Sequence, residues 1–239
     1  MGSATDAKVL AVLEPVLLVA VPVALVVCAA FDVENTALLT LLTVTAALVP
    51  FFFRFEKSHP KPRDIMPIVV LAAMAAVGRI IFAPFPDFKP VTAIVIVAAA
   101  AFGKESGFLV GALSALASNM FFGQGPWTPW QMYAWGLVGY LAGVLYERGF
   151  FKRKNFVYVY GFVAAIFYGL ILDSWYIVGF VHPLTMRAAL LGYGAGLPFS
   201  LIHAISTVLF LVPIFGPWTR KLARIKVKYG LVSVHKDPE

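Results

Sequence analysis

The chain has 239 residues, of which 61% are hydrophobic and 13% charged, with a formal charge of +7. A soluble domain carries about 25% charged residues, so the composition excludes one large soluble core. It also makes nucleic acid a poor partner, because in an apolar chain Lys and Arg report membrane orientation first. Eight apolar segments follow, near 10–22, 36–53, 65–83, 90–102, 106–122, 130–146, 156–178 and 187–215. The first has the look of a secretory signal ending at Val27-Cys28-Ala29, but Glu14 and Pro15 interrupt its start. It reads as a retained helix that extends to about residue 30, the length a bilayer crossing needs. The fourth is short, and the last is long and broken by Gly192, Gly194, Gly196 and Pro198. Cys28 is the single cysteine, so no internal disulfide forms, and no Cys/His cluster suggests a metal.

Charge orients these segments. With a cytoplasmic amino terminus, sixteen of the 19 Lys and Arg fall on the inside, in the N-terminus, 54–64, 103–105, 147–155 and 216–239. Only Lys89 and Arg187 fall outside, and Arg79 lies within a span. Such an asymmetry is the positive-inside pattern, and it predicts a multi-pass protein with both termini cytoplasmic. The outer connections differ in kind from the inner ones. They run Pro84-Phe85-Pro86-Asp87-Phe88-Lys89-Pro90, then Gly123 to Trp130, then Asp173-Ser174-Trp175-Tyr176 to His182-Pro183.

Three constellations carry candidate chemistry. Ala72 and Ala76 are four residues apart on one helix face, and Gly107/Gly111/Ala115, Gly139/Gly143 and Gly192/Gly196 repeat the small-residue spacing that lets helices approach closely. Ordinary internal packing accounts for any one such pair. Asn119, Gln124, Trp127, Thr128, Trp130 and Gln131 surround the second outer loop, where amides and hydroxyls orient a polar ligand and indoles cover it. An interfacial aromatic belt explains the tryptophans alone but not the Gly-Gln-Gly-Pro frame. Arg79 is an ionisable residue within a span, which is either functional, paired (Asp173 is one candidate) or snorkelling to headgroups. His203 reads as a hydrogen-bonded core histidine.

Catalytic patterns are missing. Gly103-Lys104-Glu105-Ser106 is no phosphate loop, because Ala98 occupies the earlier glycine position. There is no His-Glu-x-x-His, no Gly-x-Ser-x-Gly and no carboxylate pair within a span. The chain is therefore expected not to be an enzyme, to hold no cofactor of its own and to draw any energy from elsewhere.

From Leu71 to Val144 the chain resembles the substrate-binding S-components of energy-coupling factor (ECF) transporters. The resemblance rests on Ala72-Ala73-Met74-Ala75-Ala76-Val77-Gly78-Arg79, on Lys89-Pro90-Val91-Thr92-Ala93, on Gly107 to Ala115, and most specifically on Phe122-Gly123-Gln124-Gly125-Pro126-Trp127-Thr128-Pro129-Trp130-Gln131-Met132. It is most similar to the cobalamin-type members. The resemblance implies an all-α membrane fold: a six-helix substrate-binding bundle over 61–219, preceded by two additional transmembrane helices in 1–60 and followed by a basic cytoplasmic tail in 220–239. It implies a transmembrane coupling subunit and two cytosolic ABC-type ATPases as partners, with ATP bound by those subunits, in a bacterial plasma membrane. Ala72 and Ala76 would then contact the coupling subunit. A vitamin, cobalamin or a related corrinoid, would bind from outside and be delivered by toppling of the subunit. Phe85, Phe88, Lys89, Gln124, Trp127, Thr128, Trp130, Tyr176 and His182 occupy the loops where S-components hold substrate. A different vitamin, a gradient-driven carrier and a membrane-embedded lipid enzyme are the alternatives.

Overall fold

The computed structural model describes residues 3–31, 36–57 and 61–230. Among them eight α-helices follow in order: α1 (Ser3–Phe31), α2 (Thr36–Lys57), α3 (Pro62–Ile81), α4 (Val91–Phe102), α5 (Lys104–Phe122), α6 (Trp127–Glu147), α7 (Lys154–Phe180) and α8 (Met186–Lys228). A single 3-10 turn, Phe150–Lys152, precedes α7. The side chains of Lys8, Arg54, Lys57 and Lys154, and residue Lys236, which belong to the inside set of cations, lie outside the described residues.

This is an all-α, membrane-type helical protein. Among the described residues, Pro62–Ile81, Asn155–Phe180 and Met186–Lys228 are long and apolar enough to cross a membrane. Pro15–Phe31, Ala37–Phe53 and Val91–Phe102 are shorter apolar stretches. On α3 the outward residues Met66, Val69, Val77 and Ile81 are exposed and apolar, as a lipid-facing stripe must be.

The short α4 is the hub of the bundle. Eleven of its 12 residues are buried, and it packs against α5, α6, α8 and α3. At 1.5 Å per residue it is about 18 Å long, too short to span about 30 Å of hydrocarbon. Its sequence is accordingly apolar on every face rather than on one stripe. Gly103, with φ 94°, makes the sharp turn from α4 into α5, a left-handed conformation that favours glycine.

The tightest helix contact is α5 on α6. A Cβ on Gly111 would stand 2.8 Å from the Gly136 nitrogen, and one on Gly107 would stand 2.8 Å from the Gly139 carbonyl oxygen. Small residues here let two backbones touch. On α8, Gly192 and Gly196 instead make room for side chains of α7, those of Ile177 and Asp173. These spacings serve internal packing.

The first two helices pack onto the rest. Phe51 of α2 stacks on Phe108 of α5 with ring centroids 3.6 Å apart, and its edge meets Tyr140 of α6 at 5.7 Å. Tyr133 of α6 donates to the Leu18 carbonyl of α1 over 2.6 Å. They therefore form one unit with the bundle.

Two segments differ from the sequence expectation. α8 runs unbroken for 43 residues through Pro198, Pro213 and Pro217, so its glycines and prolines do not break it; residues 220–228 of the basic tail continue this helix, and residues 231–239 of that tail lie outside the described residues. In a packed membrane bundle, neighbouring groups re-satisfy the backbone that proline frees. α7 continues to Phe180, which places Asp173, Trp175 and Tyr176 on a helix and leaves only 181–185 as connection.

Candidate binding site

The polar interior begins at Arg79, near the end of α3. Its Nη1 donates to Ser118 Oγ (2.7 Å) and to Asn119 Oδ1 (2.8 Å), both on α5. The guanidinium also lies 4.7 Å from the Phe122 ring centroid and 5.2 Å from that of Trp135. Arg79 is thus turned into the bundle and does not snorkel. Asp173 is not its partner: that carboxylate lies against Gly196. Among the described residues, Arg79 bonds only to neutral groups.

Asn119 carries the network onward. Its Nδ2 donates to Thr128 Oγ1 (3.0 Å) and to Gln131 Oε1 (2.8 Å) on α6. Thr128 Oγ1 donates to Gln124 Oε1 (2.9 Å) and accepts from the Gly125 nitrogen (3.3 Å). Gln124 Nε2 returns to the Leu116 carbonyl over 3.0 Å. The Gly-Gln-Gly-Pro loop is therefore pinned by its own amides, and the Trp127 indole folds over Gly125, where any Cβ would collide with it.

Lys89 supplies the second cation. Its ammonium pairs with Asp87, a residue in the left-handed region at φ 54°, which Asp tolerates better than most residues. The same ammonium stands 5.5 Å from the ring centroids of Trp135 and of Tyr168. Burial pushes the Lys89 ammonium below the ordinary lysine range and nearby Arg79 adds to that, while the Asp87 carboxylate opposes both.

Aromatic and hydroxyl groups complete the cluster. Trp135 stacks on Tyr168 with centroids 4.4 Å apart, and its Nε1 donates to Thr92 Oγ1 over 3.1 Å. Thr92 Oγ1 shares a 2.9 Å bond with His203 Nε2, so His203 is the bonded core histidine expected. The Lys89 backbone contacts Ser206 of α8 through bonds of 3.4 Å in each direction. Among the described residues of this region, the Tyr168 hydroxyl and Trp130 Nε1 are buried without a protein hydrogen-bond partner. Buried polar groups are nearly always satisfied, so each is an opening for a ligand or water.

The expected loop residues do not converge on one place. Asn119, Thr128, Gln131, Gln124 and Lys89 join the network or the cluster. Trp130 is fully buried, stacked on Trp175 at 6.1 Å. Phe88 packs on Phe82 and Phe210, while Phe85, Trp127, Tyr176 and His182 remain exposed. The reasons are helix length and helix face. Tyr168 and His203 flank the cluster, yet α7 continues to Phe180 and α8 begins at Met186. Those stretches rise about 18 and 26 Å beyond it. Tyr176 follows the buried Trp175 that stacks on Trp130 and so turns to the outer face of α7, while His182 stands in the connection beyond that helix. The residues missed were Asp87, Thr92, Trp135, Tyr168 and Ser206; the polar side chains among apolar ones in α4 and α6 were the available signal.

Ala72 and Ala76 also sit differently from the expected partner contact. They are 4% and 5% exposed, on the face of α3 that packs against α5, where Ser114 Oγ lies 3.5 Å from the Ala72 carbonyl. The free face of α3 is the one bearing Met66, Val70 and Met74. Among the described residues no group of three His, Cys, Asp or Glu is placed to hold a metal.

Sequence comparison adds lineage. A UPF0397 protein of Aliivibrio fischeri strain MJ11 is 28% identical over 119 residues, covering 45% of this chain and 63% of the relative. A UPF0397 protein of Aliivibrio fischeri strain ATCC 700601 / ES114 matches to the same extent. The chain thus spans 63% of the length of these curated relatives. No solved structure matches it. A family model covers residues 59–227, from the approach to α3 to the end of α8, and the chain belongs to that family, described as a family of unknown function (DUF6580).

Proposed function

We propose that this chain is the solute-capturing S-component of an ECF-type importer, taking a vitamin from outside the cell and handing it to a coupling subunit driven by two ABC-type ATPases. The observation that carries the reading is Arg79: a cation inside an apolar bundle, held by neutral groups only, on the Trp135 ring that a second cation, Lys89, also faces, with the unsatisfied Tyr168 hydroxyl stacked beside it. Intramembrane charge of this kind is costly, and it is kept where it meets a substrate or an ion. Aromatic faces around it cover the apolar part of a ligand. The chain performs no reaction of its own in this account.

Cobalamin or a related corrinoid is the first substrate to test, as the likeness to cobalamin-type S-components suggests. Its phosphodiester would answer the excess of cations, and its amide rim would answer the hydroxyls. Smaller vitamins with a carboxylate satisfy the same chemistry. The purified chain, titrated calorimetrically with cobalamin and a panel of other vitamins, is expected to bind one of them tightly without ATP. Tight binding of another vitamin rejects the corrinoid and keeps the subunit role. Uptake that persists in cells with inactive ATPases replaces the role with that of a gradient-driven carrier.

A further inference from the structure

A second feature lies at the opposite end of the molecule. Between the first half of α3 and the last turns of α8 runs a groove of about 710 Å³. Its walls are apolar, with Met66, Val70 and Met74 from α3 and Trp218 from α8. Two cations line it, Arg63 on α3 and Lys221 on α8, and both are exposed. Trp218 is 15 residues beyond His203 on the same helix, about 22 Å from the cation–aromatic cluster.

We propose that this groove holds an anionic phospholipid, its acyl chain along Met66, Val70, Met74 and Trp218 and its phosphate between Arg63 and Lys221. The chemistry is specific on two counts. An aqueous solute would not seek walls this apolar, and a zwitterionic lipid would bring its own headgroup cation beside Arg63 and Lys221, offsetting the attraction of its phosphate. Basic pockets between transmembrane helices bind anionic headgroups for the same reason. The groove also begins where α3 begins, at the charged end of the bundle, so apolar floor and cationic rim follow the order of acyl chain and headgroup. Arg220 and Arg224 stand nearby on α8 and are exposed but do not line the groove.

Trp218 makes the proposal measurable. Of the five tryptophans, Trp127, Trp130, Trp135 and Trp175 lie in α6 and α7 on the side of the cation–aromatic cluster, and Trp218 alone lines the groove. The full chain is reconstituted in phosphatidylcholine vesicles with small fractions of phosphatidylglycerol or phosphatidylcholine brominated near the headgroup. The Trp218 signal is taken as the difference between the wild type and Trp218→Phe. Brominated phosphatidylglycerol is expected to quench it at about one-tenth the mole fraction that brominated phosphatidylcholine requires. Arg63→Gln with Lys221→Gln removes that preference, and Arg220→Gln keeps it. Equal quenching by the two lipids overturns the proposal, as does a preference that survives in the double variant. Shielding of Trp218 from both lipids overturns it as well, and assigns the groove to a protein segment, whether a partner or a second copy. Circular dichroism of each variant confirms that the helices are intact.

Discussion

The two ends of this molecule use cations in opposite ways. Toward one end Arg79 and Lys89 are drawn inward, bonded to Ser118, Asn119 and Asp87 and laid against the rings of Phe122, Trp135 and Tyr168. At the other, Arg63, Arg220, Lys221 and Arg224 are exposed around an apolar groove. Exposed charges in high dielectric contribute little individually, whereas a cation held in an apolar interior must be compensated by what surrounds it. On the proposed reading the same residue types do different work: lipid contact at one end, solute recognition at the other.

The largest effect separating the ends should come from packing beneath the cluster. Gly111 lies against the backbone of Trp135 and Gly136, so Gly111→Leu would drive α5 and α6 apart. It is expected to cost about 3 kcal/mol or more, seen as a large drop in thermal midpoint in detergent. At the basic end Gly216 has open space around it, and Gly216→Ala should leave the midpoint nearly unchanged. Comparable losses at both glycines would erase the distinction between a tight upper bundle and an open lower one.

Next comes charge. Arg79→Met leaves the Ser118 hydroxyl and the Asn119 amide without their cation, and an unsatisfied buried group costs about 1–3 kcal/mol. Affinity for an anionic solute should fall more sharply, by about 30- to 150-fold, if a charge-assisted bond of roughly 2–3 kcal/mol is lost. Arg220→Gln, an exposed change, should alter stability by no more than about 0.5 kcal/mol and affinity not at all. Equal effects of the two substitutions would remove the case for a buried recognition site.

The smallest expected effect is a pH dependence. Because burial lowers Lys89 from its usual 10.5, the folded chain binds its proton less tightly than the unfolded chain does. Stability from this group therefore rises with pH between the lowered value and 10.5, and the contribution is absent above both. Anion affinity moves the other way, falling as the pH passes the lowered value. Lys89→Gln should flatten both profiles. An unchanged affinity profile in that variant would take Lys89 out of the site.

Much of this architecture is legible in the amino-acid sequence, for physical reasons. The apolar runs, their separation by Pro, Gly and charge, and the glycine spacings of α5 and α6 are local properties, and the helices follow them. His203 and Arg79 stand out because a titratable residue in an apolar run needs a partner. What stays illegible depends on relative placement. Ala72 and Ala76 have the spacing of a contact face, but spacing does not say whether α5 or another protein fills it; α5 does. Tyr176 and His182 carry suitable chemistry, yet Tyr176 lies on the outer face of α7 beside the inward Trp175, and His182 lies beyond the end of that helix. Trp135 and Tyr168 lie in mid-helix, where nothing local separates a site residue from core. Proline misleads in α8 for the same reason: its cost depends on the neighbours that repair the backbone.

One measurement bears most directly on the account: calorimetric titration of the tightest vitamin ligand into three forms of the purified chain. Arg79→Met with Lys89→Met is predicted to abolish measurable binding with helicity retained. Arg63→Gln with Lys221→Gln is predicted to bind as the wild type does. Unaltered binding in the first variant, or its loss in the second, would contradict the assignment of solute recognition to the buried cluster.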